Sequence, residues 1–323
     1  MDLSAPFLAI LICLVLVAAG LWPLTRFLRR RAILDIPVDR SSHTVPTPKG
    51  AGLLIIPVCL LTWLALVPSA VILPVVVAAG VLMLASWLDD VRELSPLLRL
   101  GLHLVAAAFG MLAIPDTMLV FQGTIPFAFD RLLAILLWVW FINLFNFMDG
   151  IDGISLTETL VIGGGLLILC ALPAEGTILA GALVGCALGF LPWNWHPARI
   201  FLGDAGSAPL GYLLGYLLLL AAAHGHWPIA LILPGYYLAD SGLTLLRRLV
   251  RGAKVWQAHR EHAYQHAAQN VGHRRSSILV AVVGILLVVT AHVSLSLNPV
   301  IMLAIAVGIS IAAYLALLAL GRR

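Results

Sequence analysis

The chain has 323 residues, 62% of them hydrophobic and only 11% charged, with a formal net charge of +4. A soluble domain carries about 25% charged residues. This composition therefore excludes a water-soluble globular protein and leaves a bilayer as the solvent; the net charge is modest, and no nucleic-acid partner is expected.

In chain order, the first apolar run, about 5–28, lacks a basic leading region and a small-residue cleavage site, and reads as a first span rather than a removed signal peptide. Ten further runs follow at roughly 51–67, 70–88, 96–114, 127–147, 154–173, 176–192, 205–222, 227–246, 277–296 and 298–320. Some connectors rest on single turn signals, Pro68 and Asn298-Pro299. The expectation is an all-α polytopic membrane protein of about eleven transmembrane helices, forming one domain over residues 1–323. Cys13, Cys59, Cys170 and Cys186 lie inside apolar runs, fit no metal-binding spacing and read as packing residues. With these spans, every Lys and Arg except Arg131 falls on one side. The positive-inside rule then places the N-terminus outside and the C-terminus in the cytoplasm.

The same cytoplasmic side receives nearly all the chemistry. The first inner loop holds Asp35, Asp39, Arg40, Ser41, Ser42 and His43, then Pro46-Thr47-Pro48-Lys49-Gly50-Ala51-Gly52. A glycine-rich turn with a lysine can approach phosphate oxygens, and a basic loop beside anionic lipid heads is the plainer alternative. Asp89-Asp90 ends the third run; adjacent carboxylates invite a divalent cation or a basic partner. Asn143, Asn146, Asp149 and Asp152 recur every third residue, a spacing that places them along one face of a helix or helical turn. Phe201-Leu202-Gly203-Asp204-Ala205-Gly206-Ser207 opens the eighth run, with Asp204 either capping a helix or presenting a cation ligand there. A long loop then carries His259-Arg260-Glu261-His262, Tyr264, Gln265 and His266. A zinc site from His259, His262 and His266 fits the spacing, but hard oxygen ligands dominate elsewhere and favour magnesium. Residue chemistry alone reaches metal-dependent phosphate chemistry at the inner leaflet, with an anionic lipid as one substrate.

From about residue 35 to 266, these motifs in this order resemble the polyprenyl-phosphate N-acetylhexosamine-1-phosphate transferases. The resemblance implies Mg²⁺ as cofactor, with Mn²⁺ as an alternative. It implies that Asp204 binds the metal and Asn146 shares it, and that one of Asp89 and Asp90 deprotonates the lipid phosphate. Asp149 and Asp152 match catalytic and nucleoside-contacting positions, Asp152 lying near the uracil, on which Phe201 stacks. His259, Arg260 and His262 match a loop that handles the diphosphate, and Arg99 sits near a family cation at the same group. His-Arg-Glu-His replaces the triple histidine of the phospho-MurNAc-pentapeptide translocases and points to the bacterial initiators of O-antigen synthesis. The implied reaction transfers N-acetylhexosamine-1-phosphate from a UDP-sugar (GlcNAc, FucNAc or QuiNAc) to undecaprenyl phosphate at the bacterial inner membrane, releasing UMP. The apolar spans offer a homodimer interface, though no motif specifies one. The rival reading is a transporter or flippase of polyprenyl-linked glycans, which would place polar residues near mid-span; the candidates there are His103, Glu158, Asp240 and His292.

Overall fold

A computed structural model describes residues 4–37, 42, 45–92, 94–254 and 259–321. Asp39, Arg40, Ser41 and His43 lie outside the described residues. The chain is nearly all helix: α1 (Ser4–Arg30), α2 (Gly52–Leu66), α3 (Leu73–Arg92), α4 (Pro96–Gly110), α5 (Phe127–Met148), α6 (Ile154–Ile168) and α7 (Ala174–Asn194), followed by α8 (Asp204–Ala221), α9 (Trp227–Ile232), α10 (Gly235–Val250), α11 (Ala263–Val271), α12 (His273–Val293) and α13 (Pro299–Leu320). The strands β1 (Leu34–Asp35) and β2 (Thr47–Pro48) pair antiparallel in the loop after α1.

Each expected span overlaps a helix. Among the described residues, eight helical stretches are long and apolar enough to cross a membrane, and Gly52–Leu66 and Ile154–Ile168 are shorter apolar helices. The protein is thus an all-α, multi-pass membrane protein. Two boundaries differ from expectation. The run at 205–222 continues through a wide turn at Ala222–His226, where Gly225 takes φ 89°, into α9. The run at 227–246 is broken at Leu233-Pro234 into α9 and the strongly amphipathic α10. Proline cannot donate to the helical ladder, which accounts for that break.

The buried α8 packs against α3 and α5. Gly181, Gly185 and Gly189 share one face of α7, and a Cβ on each would strike the backbone of α1 at Pro6, Ile10 and Leu14. Small residues four apart let the two backbones close on each other where no hydrophobic effect drives helices together.

The two ends of α5 have separate tasks. At its first turn the buried Asp130 accepts backbone N–H bonds from Val120 and Phe121, at 3.2 and 2.8 Å. Its neighbour Arg131 donates to the Pro115 carbonyl at 2.7 Å. Asn146 and Asp149 lie at the other end, roughly 24 Å away at 1.5 Å per residue. Arg131 thus lies at the opposite end of α5 from Asn146.

Candidate active site

The site starts with two glycine-rich segments zipped together by their backbones. Phe201 donates its N–H to the Pro48 carbonyl at 2.8 Å. Its own carbonyl accepts from Gly50 and Ala51 at 3.1 and 3.0 Å, and Leu202 accepts from Gly52 at 3.0 Å. Gly52 lies against the backbone of Ala205 and Gly206, where a Cβ has no room. Gly203 takes φ 75°, ψ 166°, a region open essentially to glycine alone. A Cβ there would come within 3.1 Å of Asp90 Oδ2 and 3.2 Å of Lys49 Cγ. Gly203→Ala is therefore expected to cost about 1–3 kcal/mol in backbone strain and to displace the Lys49–Asp90 pair. Thermal unfolding in detergent checks the first effect, and an unchanged midpoint would contradict it.

On this scaffold Lys49, Asp89, Asp90, Arg99, Asn146, Asp149 and Asp204 come together. Lys49 Nζ is 2.6 Å from Asp90 Oδ1, and the Ala205 N–H reaches Asp90 Oδ2 at 3.3 Å. Arg99 pairs with Asp89 at 3.2 Å, and the Leu94 N–H donates to Asp89 at 2.6 Å. Burial works to lower the Lys49 pKa, but the charges of Asp204, Asp90 and Asp35 outweigh it and raise the ammonium above its ordinary value. Asp149 is pushed up to about 6, chiefly by burial, with the Ser155 hydrogen bond opposing and the charge of Asp204 adding to it. Asp89, Asp90, Asp149 and Asp204, with Asp35 adding its charge at Lys49, outnumber the cations Lys49 and Arg99 set among them. Such an excess of hard oxygen donors fits a divalent cation of the Mg²⁺ type. Asn146 Oδ1 accepts from the Ser207 hydroxyl, which fixes the amide beside the first turn of α8.

The row of residues three apart does not stay on one face. α5 ends at Met148, so Asn143 and Asn146 are helical, Asp149 follows the last turn and Asp152 sits in the next turn. Ser155 donates to Asp149 at 2.7 Å. Asp152 is buried and turns to a second cluster. His196 Nδ1 lies 2.6 Å from its Oδ2, the Ala198 N–H 3.1 Å from the same oxygen, and His273 Nδ1 3.3 Å from Oδ1. Burial would raise the Asp152 pKa, but the His273 and His196 contacts lower it below the usual value. Gly153 follows at φ 79°, its N–H held by Asn194 at 2.9 Å.

The histidine loop is divided as well. His262 is buried, its Nδ1 3.1 Å from Asp240 Oδ1, and it forms a capping box with Gln265 at the start of α11. Asp240 therefore pairs with His262 and Tyr236, and Arg247, two turns on in α10, donates to the Glu261 carbonyl at 2.6 Å. Arg248 and Arg251 hold the Glu261 carboxylate. A zinc site on His259, His262 and His266 is not formed. His259 stacks on His262 with ring centroids 5.0 Å apart; burial, then the neighbouring positive charges, lower its pKa to about 4. Arg260 is exposed. The Tyr264 hydroxyl donates to the Phe147 carbonyl at 3.1 Å, tying this loop to the end of α5.

Sequence reasoning passed over His196, His273, Asn194 and Ser155. The available signals were the polar break Trp193-Asn194-Trp195-His196-Pro197 inside an apolar region, and Gly272-His273 opening a helix. Beyond the polar groups, a largely apolar cavity of about 430 Å³ lies between α5, α8 and α9, lined by Trp138, Phe141, Leu218, Trp227 and Leu231.

Residues 72–222 match glycosyl transferase family 4. The chain is 26% identical to the probable undecaprenyl-phosphate N-acetylglucosaminyl 1-phosphate transferase of Bacillus subtilis, over 84% of this chain and 80% of that protein. It is 30% identical to the decaprenyl-phosphate N-acetylglucosaminephosphotransferase of Mycolicibacterium smegmatis, over 76% of this chain and 71% of that protein. A shorter stretch, 36% of each chain, is 38% identical to the phospho-N-acetylmuramoyl-pentapeptide-transferase of Moorella thermoacetica.

Proposed function

The chain belongs to glycosyl transferase family 4, the polyprenyl-phosphate N-acetylhexosamine-1-phosphate transferases, and from that premise we propose that it moves N-acetylhexosamine-1-phosphate from a UDP-sugar to undecaprenyl phosphate. The carrying observation is the carboxylate cluster at the helix ends, with Lys49 and Arg99 set among its oxygens. UDP-GlcNAc or a deoxy-N-acetylhexosamine donor, a cytoplasm-facing site in the bacterial inner membrane and one domain over residues 1–323 complete the reading.

In this reading an oxygen of the lipid phosphate attacks the β-phosphorus. A new P–O bond forms to the lipid, the P–O bond to the α-phosphate breaks, and UMP leaves with the electron pair. Asp204 and Asn146 would hold Mg²⁺ with help from the neighbouring carboxylates, and the cation supplies charge neutralisation at the phosphoryl oxygens. Lys49 and Arg99 place positive charge beside the same oxygens. Asp89 or Asp90 accepts the proton of the lipid phosphate when one is present. Asp149 contributes a carboxylate next to the reacting groups. The Phe201 ring and the Asp152 turn bind the nucleoside, and His259, Arg260 and His262 form the diphosphate-facing loop. The apolar cavity beside α5 offers the polyprenyl chain a place to lie.

Two outcomes are expected. EDTA stops turnover and added Mg²⁺ restores it; activity surviving exhaustive chelation contradicts the metal assignment. Because the Asp149 carboxyl sits near 6, protonation competes with cation binding as pH falls through that value. The apparent Mg²⁺ affinity therefore weakens below about pH 6 and levels off above it. A titration at several pH values that shows the same affinity throughout removes Asp149 from the cation's neighbourhood.

A further inference from the structure

We propose that Asp152, His196 and His273 form a binding site for a borderline-soft divalent cation of the Zn²⁺ class, separate from the carboxylate cluster around Asp204. The three side chains come from the turn before α6, the connector between α7 and α8, and the first residue of α12. One candidate ligand atom from each lies within 4.8 Å of the others.

His273 carries most of the argument. Its Nε2 is 2.9 Å from the Ser42 carbonyl oxygen. A carbonyl only accepts, so this nitrogen holds a proton and the neutral ring keeps its lone pair on Nδ1. That Nδ1 faces Asp152, 3.3 Å from Oδ1. There the lone pair accepts the Asp152 N–H at 3.4 Å, a long hydrogen bond that a cation drawn to the same nitrogen would displace. The spacing suits one: two donors each about 2.0–2.1 Å from a tetrahedral zinc lie roughly 3.3 Å apart. A ligating histidine that gives its other N–H to a backbone carbonyl is the arrangement that fixes ring orientation and tautomer at metal centres.

His196 supplies the other flank and the entry path. Its side chain is 44% exposed, and its Nδ1 is 2.6 Å from Asp152 Oδ2. At that distance a hydrogen bond closes the cluster. Ligation requires the imidazole to draw back by roughly 0.7 Å and its proton to move to the other ring nitrogen. The turn beneath is pinned, since the Ser277 hydroxyl donates to the Asp152 carbonyl at 2.7 Å. Two imidazoles and one carboxylate suit zinc and discriminate against magnesium, which prefers oxygen ligands. A bound cation would staple the start of α12 and the α7–α8 connector to the turn that begins α6.

The test uses full-length protein in detergent, freed of any polyhistidine tag and stripped with chelator, titrated with Co²⁺ and then Zn²⁺. The expected result is about one equivalent of Co²⁺ giving the visible absorption of a four- or five-coordinate site, bleached by Zn²⁺. His196→Ala and His273→Gln should each weaken binding by about 100-fold or more, whereas Asp204→Asn should keep the band. Because His196 is on a half-exposed connector, its variant stays readable even where His273→Gln fails to fold. No such band in the wild-type protein, a band unchanged in His196→Ala, or one lost in Asp204→Asn would each overturn the proposal.

Discussion

Asp204→Asn is expected to lower turnover by on the order of 10³-fold or more while the protein still inserts and folds. Asp204 opens α8 and shares its surroundings with Lys49, Asp90, Asp89 and Arg99. The amide keeps the size of the side chain and its ability to accept a hydrogen bond. It removes the charge that would hold a divalent cation against the substrate phosphates. Turnover measured with saturating Mg²⁺, beside a detergent melting curve for the variant, separates chemistry from folding. Near-normal turnover in a folded variant would sink the metal assignment at Asp204.

Asp240→Ala is expected to be the most destabilising of the substitutions considered, by about 3–5 kcal/mol. The carboxylate is fully buried and accepts from the Tyr236 hydroxyl at 2.8 Å, the Thr244 hydroxyl at 3.2 Å and His262 Nδ1 at 3.1 Å. It also accepts the backbone N–H groups of Ala263 and Tyr264, at 3.0 and 3.1 Å. Deleting it strands these donors in an apolar interior, each at a desolvation penalty. α11 and the His259–His262 loop should then detach from α10, and donor KM should rise in whatever folded protein remains. Limited proteolysis after α10 and a thermal melt report the first effect. A variant with the wild-type midpoint and digestion pattern would show that Asp240 does not anchor the loop.

The architecture was legible because every apolar run lies under a helix, and the polar motifs sit at those runs' ends; α11, a polar helix within the stretch read as a long loop, was not. Alternating helix direction then brings Lys49, Asp89, Asp90, Asp149 and Asp204 to one end of the bundle without any tertiary information. What the sequence concealed were partnerships across long separations. Asp152 meets His196 and His273, which are 44 and 121 residues away, and no periodicity connects them. The three-residue spacing from Asn143 to Asp152 suggested one continuous face, but α5 ends at Met148 and Gly150 and Gly153 turn the chain aside. Helical spacing offers Asp240 the local cation Arg247, two turns on, yet a buried carboxylate needs several donors. The loop starting α11 supplies three of them. The pairing of Phe201 with Pro48, Gly50 and Ala51 explains afterwards why two glycine-rich motifs so far apart belong to one site.

The central claim is tested most directly with purified protein in detergent, undecaprenyl phosphate, Mg²⁺ and a panel of UDP-N-acetylhexosamines, following UMP and the lipid product together. The account predicts UMP with at least one donor, released only when lipid phosphate is present and matched by polyprenyl-diphosphate sugar. Folded protein that binds lipid phosphate yet releases no UMP from any donor in the panel would contradict it.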